Sequence, residues 1–134
     1  MCKDQADTRP ATKKLTVWGD YINAETKSIL SVLMICHIEH EYTNVETLLE
    51  EHKRSEEFAL VSPIQEIPVI TEGSYKIISG PAQFMFYLCN TRSIVKDRLY
   101  PKDCERMINK YLNWFQNKLR PKTQRLIKLL QRQL

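Results

Sequence analysis

The 134-residue sequence lacks both closely spaced cysteines and any long hydrophobic run. Its four cysteines form no Cys-x-x-Cys pair, which argues against a zinc ribbon and against a dithiol redox site. His37 and His40 have no further ligands nearby in the sequence, so no metal site is predicted. The longest apolar stretch, 29–36, falls far below the ~20 residues that span a membrane. We therefore expect one globular domain, or one domain and part of a second.

The beginning of the chain also lacks the pattern of a targeting segment. Residues 1–13 are polar, contain Asp4 and Asp7 and have no apolar core, unlike a signal peptide or an acid-poor transit peptide. We interpret 1–13 as a disordered tail and expect a soluble protein of the cytoplasm.

Acidic residues are absent from the end of the chain. Residues 1–105 contain 12 basic and 16 acidic side chains, whereas 106–134 contain eight basic side chains and no acidic one. A basic amphipathic helix can contact anionic lipid or nucleic acid phosphates, but no aromatic residues are interleaved with the charges of 118–132. We interpret this segment as a solvated basic face and expect no nucleic-acid partner. Membrane contact of the basic C-terminus is the weaker alternative.

The hydrophobic pattern predicts an α/β domain over 14–90 with the element order βαβαββα. Alternation over 14–18 predicts the first strand, and the run Tyr42-Thr43-Asn44-Val45 predicts a short second one. Between them, the 3.6-residue period over 25–38 predicts a helix. Because this helix is apolar on nearly every side, we expect it to be well buried.

The second half of that domain is predicted to contain a hairpin between two helices. A charged and weak helix is predicted over 48–58. Strands at 68–71 and 74–78 are joined by a tight turn at Glu72-Gly73. A further helix over 80–90 begins with a proline at its first position, where the missing N–H costs nothing.

The rest of the chain is predicted to be helical. We interpret 91–102 as a linker and 103–134 as the start of an all-helical domain. Pro121 is expected to kink or break the first helix, and a second amphipathic helix, which carries the leucines of 126–130, should follow it.

Several short runs occur in a characteristic order along the chain: Ser55-Glu56-Glu57-Phe58, Ser62-Pro63, Ile67-Pro68-Val69-Ile70, Gly73-Ser74-Tyr75-Lys76-Ile77, Tyr100-Pro101-Lys102-Asp103 and Tyr111-Leu112-Asn113-Trp114. In this order and spacing they resemble the glutathione S-transferases, most closely the theta class. The resemblance implies a thioredoxin-like N-terminal domain followed by a partial, truncated all-α C-terminal domain. It also implies that Pro68 is the structural cis-proline of that fold.

The same resemblance implies an activity, the transfer of glutathione to small electrophiles, with glutathione as co-substrate and no other cofactor. Such enzymes favour the reactive thiolate through a hydroxyl near the first helix. Asn23 occupies the position of the theta-class serine, and Tyr21 is the alternative hydroxyl. The backbone of Ile67 would bind the peptide as an added strand does. The implied glutathione-binding residues are Lys53, Glu66, Ile67, Ser79 and Gly80.

Several of these positions depart from the family pattern. Glu66 stands where a basic residue faces the glycine carboxylate, and like charges repel. Ser79 and Asn109 stand where acidic residues are expected. The substitutions predict a degenerate site and call the transferase activity into question. The alternative is a non-catalytic interaction or scaffold module. The resemblance further implies a homodimer, or a dimer with a related full-length protein.

Overall fold

The computed structural model describes residues 14–77 and 80–133. Within these ranges the strands and helices follow the order βαβαββα and then continue as helices, which confirms the predicted fold class. The predicted tail 1–13 and the predicted ligand-binding residue Ser79 lie outside the described residues.

Four strands form one mixed sheet in the order β2-β1-β3-β4. The strands are β1 Leu15–Gly19, β2 His40–Asn44, β3 Val69–Glu72 and β4 Tyr75–Ile77. The central strand β1 pairs with β2 in parallel and with β3 in antiparallel register. As a result, the segments that follow β1 and β2 meet the segment that precedes β3 at one edge of the sheet. This edge positions the candidate site.

Six α-helices lie between and after the strands: α1 Ala24–Ile35, α2 Glu56–Val61, α3 Pro81–Thr91, α4 Ser93–Leu99, α5 Glu105–Trp114 and α6 Arg120–Gln131. Short 3-10 turns occur at Glu51–Arg54 and Lys102–Cys104, and a π-helical segment, Phe115–Leu119, joins α5 to α6. In the part of the chain that the structure describes, no helix is long and apolar enough to cross a membrane.

Helices cover both faces of the sheet. The larger group of buried side chains lies on the face covered by α1 and α3: Leu15, Val17, Ile29, Leu30, Leu33, Cys36, Ile70, Phe84, Leu88, Cys89, Val95 and Tyr100. On the other face, Phe58 of α2 packs with Val45 and Val69. The prediction that α1 is buried all round is wrong, because the sheet covers only one side and leaves Met34 and Ile35 exposed.

The predicted charged helix over 48–58 is wrong in its extent. Glu50 adopts a left-handed conformation with φ of 58°, which no α-helix accommodates, and a 3-10 turn follows it. The regular helix begins only after Ser55, whose Oγ accepts a hydrogen bond from the Phe58 N–H at 3.1 Å.

The segment 91–102, interpreted as a linker, contains α4 and part of the core. Val95 of α4 is completely buried in the main core cluster. The short helix is therefore part of the packed structure, whereas a linker would make few such contacts.

Pro121 does not break the C-terminal helix. It lies in the first turn of α6, where its missing N–H and fixed φ are tolerated. Before it, the N–H of Arg120 bonds to the carbonyl of Phe115, five residues back. The wider π-helical turn thus carries the helix from α5 into α6 without interruption.

A partly buried ion pair joins the hairpin to the end of α3. Arg92 Nη1 donates to Glu72 Oε2 at 2.9 Å, Arg92 Nη2 donates to Glu72 Oε1, and the Tyr87 hydroxyl also donates to Glu72. The hydrogen bonds from Arg92 hold the pKa of Glu72 below its ordinary value, although burial opposes the shift. Burial and the contact with Glu72 raise the pKa of Tyr87 to about 12.

We expect Glu72→Gln to lower the free energy of unfolding at pH 7 by about 1–3 kcal/mol, because it removes hydrogen bonds to a charge. A lowered folded pKa stabilises the protein above the unfolded value of about 4.3, and this contribution disappears as the pH falls through the folded pKa. Urea unfolding between pH 3 and 7 should therefore show a weaker pH dependence in the variant. The control is Glu39→Gln, which removes only an exposed contact with Lys14 at 3.8 Å. Equal effects of the two substitutions would contradict the role given to Glu72.

Candidate functional site

A cavity of about 710 Å³ lies where the edge of the sheet meets α6. The N-terminal domain lines it with residues from the start of α1, the segment after β2 and the loop before β3. From α6 and its C-terminal cap come Gln124, Ile127, Lys128, Gln131 and Arg132. Four of the residues predicted from the sequence line this one cavity, although up to 44 positions separate them along the chain: Asn23, Lys53, Glu66 and Ile67.

Asn23 caps α1 and also faces the cavity. Its Oδ1 accepts a hydrogen bond from the Thr26 N–H at 2.9 Å and a second from the Thr26 hydroxyl at 3.3 Å. The carboxamide oxygen is thus occupied by the helix, and only the NH₂ group of Asn23 is left to donate to a ligand.

Tyr21, the alternative hydroxyl, lies outside the cavity lining. Its ring stacks on Tyr42 with the centroids 4.4 Å apart. The Tyr42 hydroxyl donates to the Gly19 carbonyl at 2.8 Å. Burial raises the pKa of Tyr42 to about 12. Tyr21 therefore packs at the end of the strand, as an aromatic residue at that place usually does.

The loop before β3 presents unpaired backbone groups to the cavity. The Ile67–Pro68 peptide bond is cis. Just before it, the buried Ser62 Oγ donates to the Glu66 carbonyl at 3.1 Å and accepts from the Glu66 N–H at 3.2 Å. These bonds fix the loop, yet no backbone hydrogen bond within 14–77 and 80–133 uses the N–H or C=O of Ile67. Both groups are therefore available to a ligand.

The two charged residues predicted to face a carboxylate have different surroundings. Lys53 Nζ lies 2.6 Å from Glu50 Oε1, and this hydrogen bond lowers the pKa of Glu50. The exposed Glu66 carboxylate forms no ion pair with any described residue. Nor do three His, Cys, Asp or Glu side chains of the described ranges gather into a metal-binding group.

Asp20 connects two of the segments around the cavity through hydrogen bonds, and it was not among the residues predicted from the sequence. The buried carboxylate accepts bonds from the Ile22 N–H at 3.0 Å, the Thr47 N–H at 3.1 Å and the Thr47 hydroxyl at 2.7 Å. Burial raises the pKa of Asp20, but these bonds outweigh it and the pKa lies below its ordinary value. The Thr47 carbonyl in turn accepts a bond from Gln131 of α6 at 3.4 Å. An acidic residue directly after a buried strand was the signal available in the sequence.

A partly buried ion pair also connects the N-terminal domain with the last helix. Arg120 Nε donates to Glu25 Oε1 at 2.7 Å, between the last helix and the first turn of α1. The interpretation of the basic segment as a solvated face is therefore wrong for Arg120. It is also incomplete for Lys128 and Arg132, which line the cavity.

Comparisons of sequence and of structure both find glutathione S-transferases. No protein-family model matches the chain. Over 92 residues it is 28% identical to Glutathione S-transferase F4 of Arabidopsis thaliana, covering 67% of this chain and 37% of the relative. Apo human glutathione-S-transferase T1-1 superposes with a TM-score of 0.70 at 22% identity, covering 79% of this chain and 44% of the human chain. A glutathione transferase homolog from Drosophila mojavensis, solved with bound glutathione, superposes with a TM-score of 0.67 at 21% identity, covering 80% and 48%.

The chain has the glutathione S-transferase fold. Its sequence is similar to that of the Arabidopsis protein over about two thirds of this chain. It spans less than half the length of each of these three relatives.

Gly80 stands where the glutathione S-transferase pattern has a serine, and the structure places it apart from the cavity lining. It precedes α3 with φ of 71°, a conformation that favours glycine. A Cβ at this position would lie 2.3 Å from Gln116 Oε1. The Gln116 carboxamide thus occupies the space that a side chain at position 80 would enter, and its buried oxygen has no hydrogen-bond partner among the described residues. The predicted role of Gly80 in binding remains a prediction.

Asn109, at the second expected acidic position, also lies outside the first cavity. It lines a second cavity of about 590 Å³ between α3 and α5, together with Gln83, Asn113, Gln116 and Asn117. Its Oδ1 accepts a hydrogen bond from the Tyr100 hydroxyl. Asn109 therefore has a structural partner.

We expect Asn23→Ala to lower the free energy of unfolding by about 1 kcal/mol, because it removes the cap of α1, and Asn23→Ser to change it by only a few tenths. Urea unfolding of both variants at pH 7 tests this. Asn90→Ala, an exposed change inside α3, is the control and should not destabilise the protein. If the alanine and serine variants at position 23 are equally stable, the capping role is refuted.

Proposed function

We propose that the chain binds glutathione in the cavity between the sheet edge and α6, as a glutathione transferase-like protein with weak activation of the thiol. The observation that carries this proposal is the unpaired N–H and C=O of Ile67, held at the cavity by the bonds of Ser62. An extended peptide can satisfy both groups as an added strand does. The glutathione bound to the Drosophila mojavensis homolog supports the choice of ligand.

Weak activation follows from the surroundings of Asn23. A thiol with a pKa of about 8.5 is mostly protonated at pH 7, and only the thiolate attacks an electrophile. A hydroxyl that donates to the sulfur stabilises the anion by about 1.5–3 kcal/mol. The Asn23 oxygen is committed to capping α1, so a carboxamide N–H has to replace that hydroxyl. We expect binding to persist while conjugation to small electrophiles is slow.

Three finer points belong to the same proposal. The runs Tyr100-Pro101 and Tyr111-Leu112-Asn113-Trp114 favour the theta class. Action in the cytoplasm and assembly as a dimer, with a second copy or a full-length relative, are expected from the resemblance to the family.

A non-catalytic interaction or scaffold module is the second candidate. It is favoured by the apolar side chains that α5 leaves exposed, Met107, Tyr111 and Trp114, which follow one another at helical spacing. The reversed charge at Glu66 favours the same candidate, since it opposes the family's way of binding a carboxylate.

Thermal unfolding in the presence of 0–10 mM glutathione tests the binding proposal. A ligand at about 100 times its Kd stabilises the folded state by about 2.7 kcal/mol, which corresponds to several degrees in Tm for a chain of this size. Equal concentrations of free glutamate and glycine are the control. An unchanged Tm over the whole titration would support the scaffold candidate.

We expect the double variant Asn23→Ser/Glu66→Lys to conjugate glutathione to a model aryl halide about tenfold faster or more than the unaltered chain. The serine supplies the missing hydroxyl, and the lysine restores the cation. The matched control is Asn90→Ser/Glu39→Lys, which makes the same chemical changes at exposed positions away from the cavity. No gain over this control would show that the two missing groups do not account for weak activity.

A further inference from the structure

Two cations at the C-terminal end of α6, Lys128 and the capping residue Arg132, face the candidate site. Lys128 and Arg132 both line the cavity that also contains Lys53, Glu66 and Ile67. Neither lies within ion-pair distance of a carboxylate in the described part of the chain. We infer that Lys128 and Arg132 bind the glycine carboxylate of glutathione. This inference rests on the proposed function and names the residues that determine its specificity.

The helix brings the two side chains to the same place. Residues four apart lie on one face of an α-helix, so Lys128 and Arg132 are neighbours. The other α6 residues that line the cavity, at 124, 127 and 131, share this face. Like charges at this spacing slightly destabilise a helix. A bound anion would remove that repulsion.

Gln131 holds this face of α6 against the N-terminal domain. It lies between the two cations in sequence, and its Nε2 donates to the Thr47 carbonyl. Thr47 is itself bound through its N–H and hydroxyl to the buried Asp20. The position of Lys128 and Arg132 over the cavity is therefore set by hydrogen bonds that reach the core of the sheet edge.

The remaining charges of the cavity explain why the carboxylate would bind to α6. Lys53 is already engaged by Glu50, and Glu66 adds an uncompensated negative charge at the loop before β3. A carboxylate placed against that loop would be repelled by Glu66. On the opposite wall, Arg132 offers a planar fork that can bind a carboxylate through two hydrogen bonds, and Lys128 adds a second charge.

Calorimetric titration with glutathione and with its glycine monoethyl ester tests the inference. The ester keeps the thiol and the γ-glutamyl group but lacks the carboxylate in question. The test variant is Lys128→Gln/Arg132→Gln. The matched control is Lys122→Gln/Arg125→Gln, which removes the same charge from exposed positions of α6 outside the cavity lining.

We expect the unaltered chain and the control to bind glutathione about tenfold or more tightly than the ester. The test variant should bind glutathione at least about tenfold more weakly and should no longer distinguish it from the ester. If the unaltered chain binds glutathione but both double variants bind it equally well, or if the test variant still discriminates against the ester, the inference is overturned and the proposed function stands. If the unaltered chain binds neither compound, the proposed function itself fails.

Discussion

The carboxylate of Asp20 is the group on which the candidate site depends. It follows the central strand, is buried, and accepts hydrogen bonds from the turn before α1 and from Thr47 beyond β2. These bonds add to the pairing of β1 with β2 and to the bond from the Val45 N–H to the Gly19 carbonyl in fixing the two segments at the sheet edge. A buried charge of this kind is tolerated only because several donors surround it. The same carboxylate therefore supports both the local fold and, through Thr47 and Gln131, the seating of α6.

The strands and helices were predicted correctly where the local sequence pattern and the tertiary packing favour the same structure. Alternation marks β1, the helical period marks α1, and proline and glycine mark the start of α3 and the hairpin turn. The predicted elements were wrong where the extent of a helix depends on the conformation of one residue, or where burial depends on a distant packing partner. The sequence of 48–58 contains no residue that predicts the left-handed conformation of Glu50. Likewise, the residues around Val95 do not predict its burial in the core. Nor does the sequence around Pro121 show that the chain enters α6 through a π-helical turn.

The part of the candidate site that belongs to the N-terminal domain was predicted from the sequence, whereas the part contributed by the last helix was not. Asn23 follows β1, and Glu66 and Ile67 precede β3. Because these strands are neighbours in the sheet, the order of the family motifs along the chain was enough to predict that the three residues lie in one site. The contribution of α6 could not be found in this way, because its position depends on the Gln131 bond and on the pair formed by Arg120 and Glu25. A count of charges identifies the segment as basic, but only the folded arrangement shows that Lys128 and Arg132 line the cavity.

The contact between Gly80 and Gln116 restricts how this site could change in evolution. The backbone before α3 is left-handed, and the Gln116 carboxamide occupies the volume that a side chain at position 80 would need. A serine at position 80 would adopt a strained backbone conformation, whereas the Gln116 carboxamide is the end of a flexible side chain and can rotate away. A residue other than glycine at position 80 is therefore expected to bring with it a change in this backbone conformation and a new position for the Gln116 side chain.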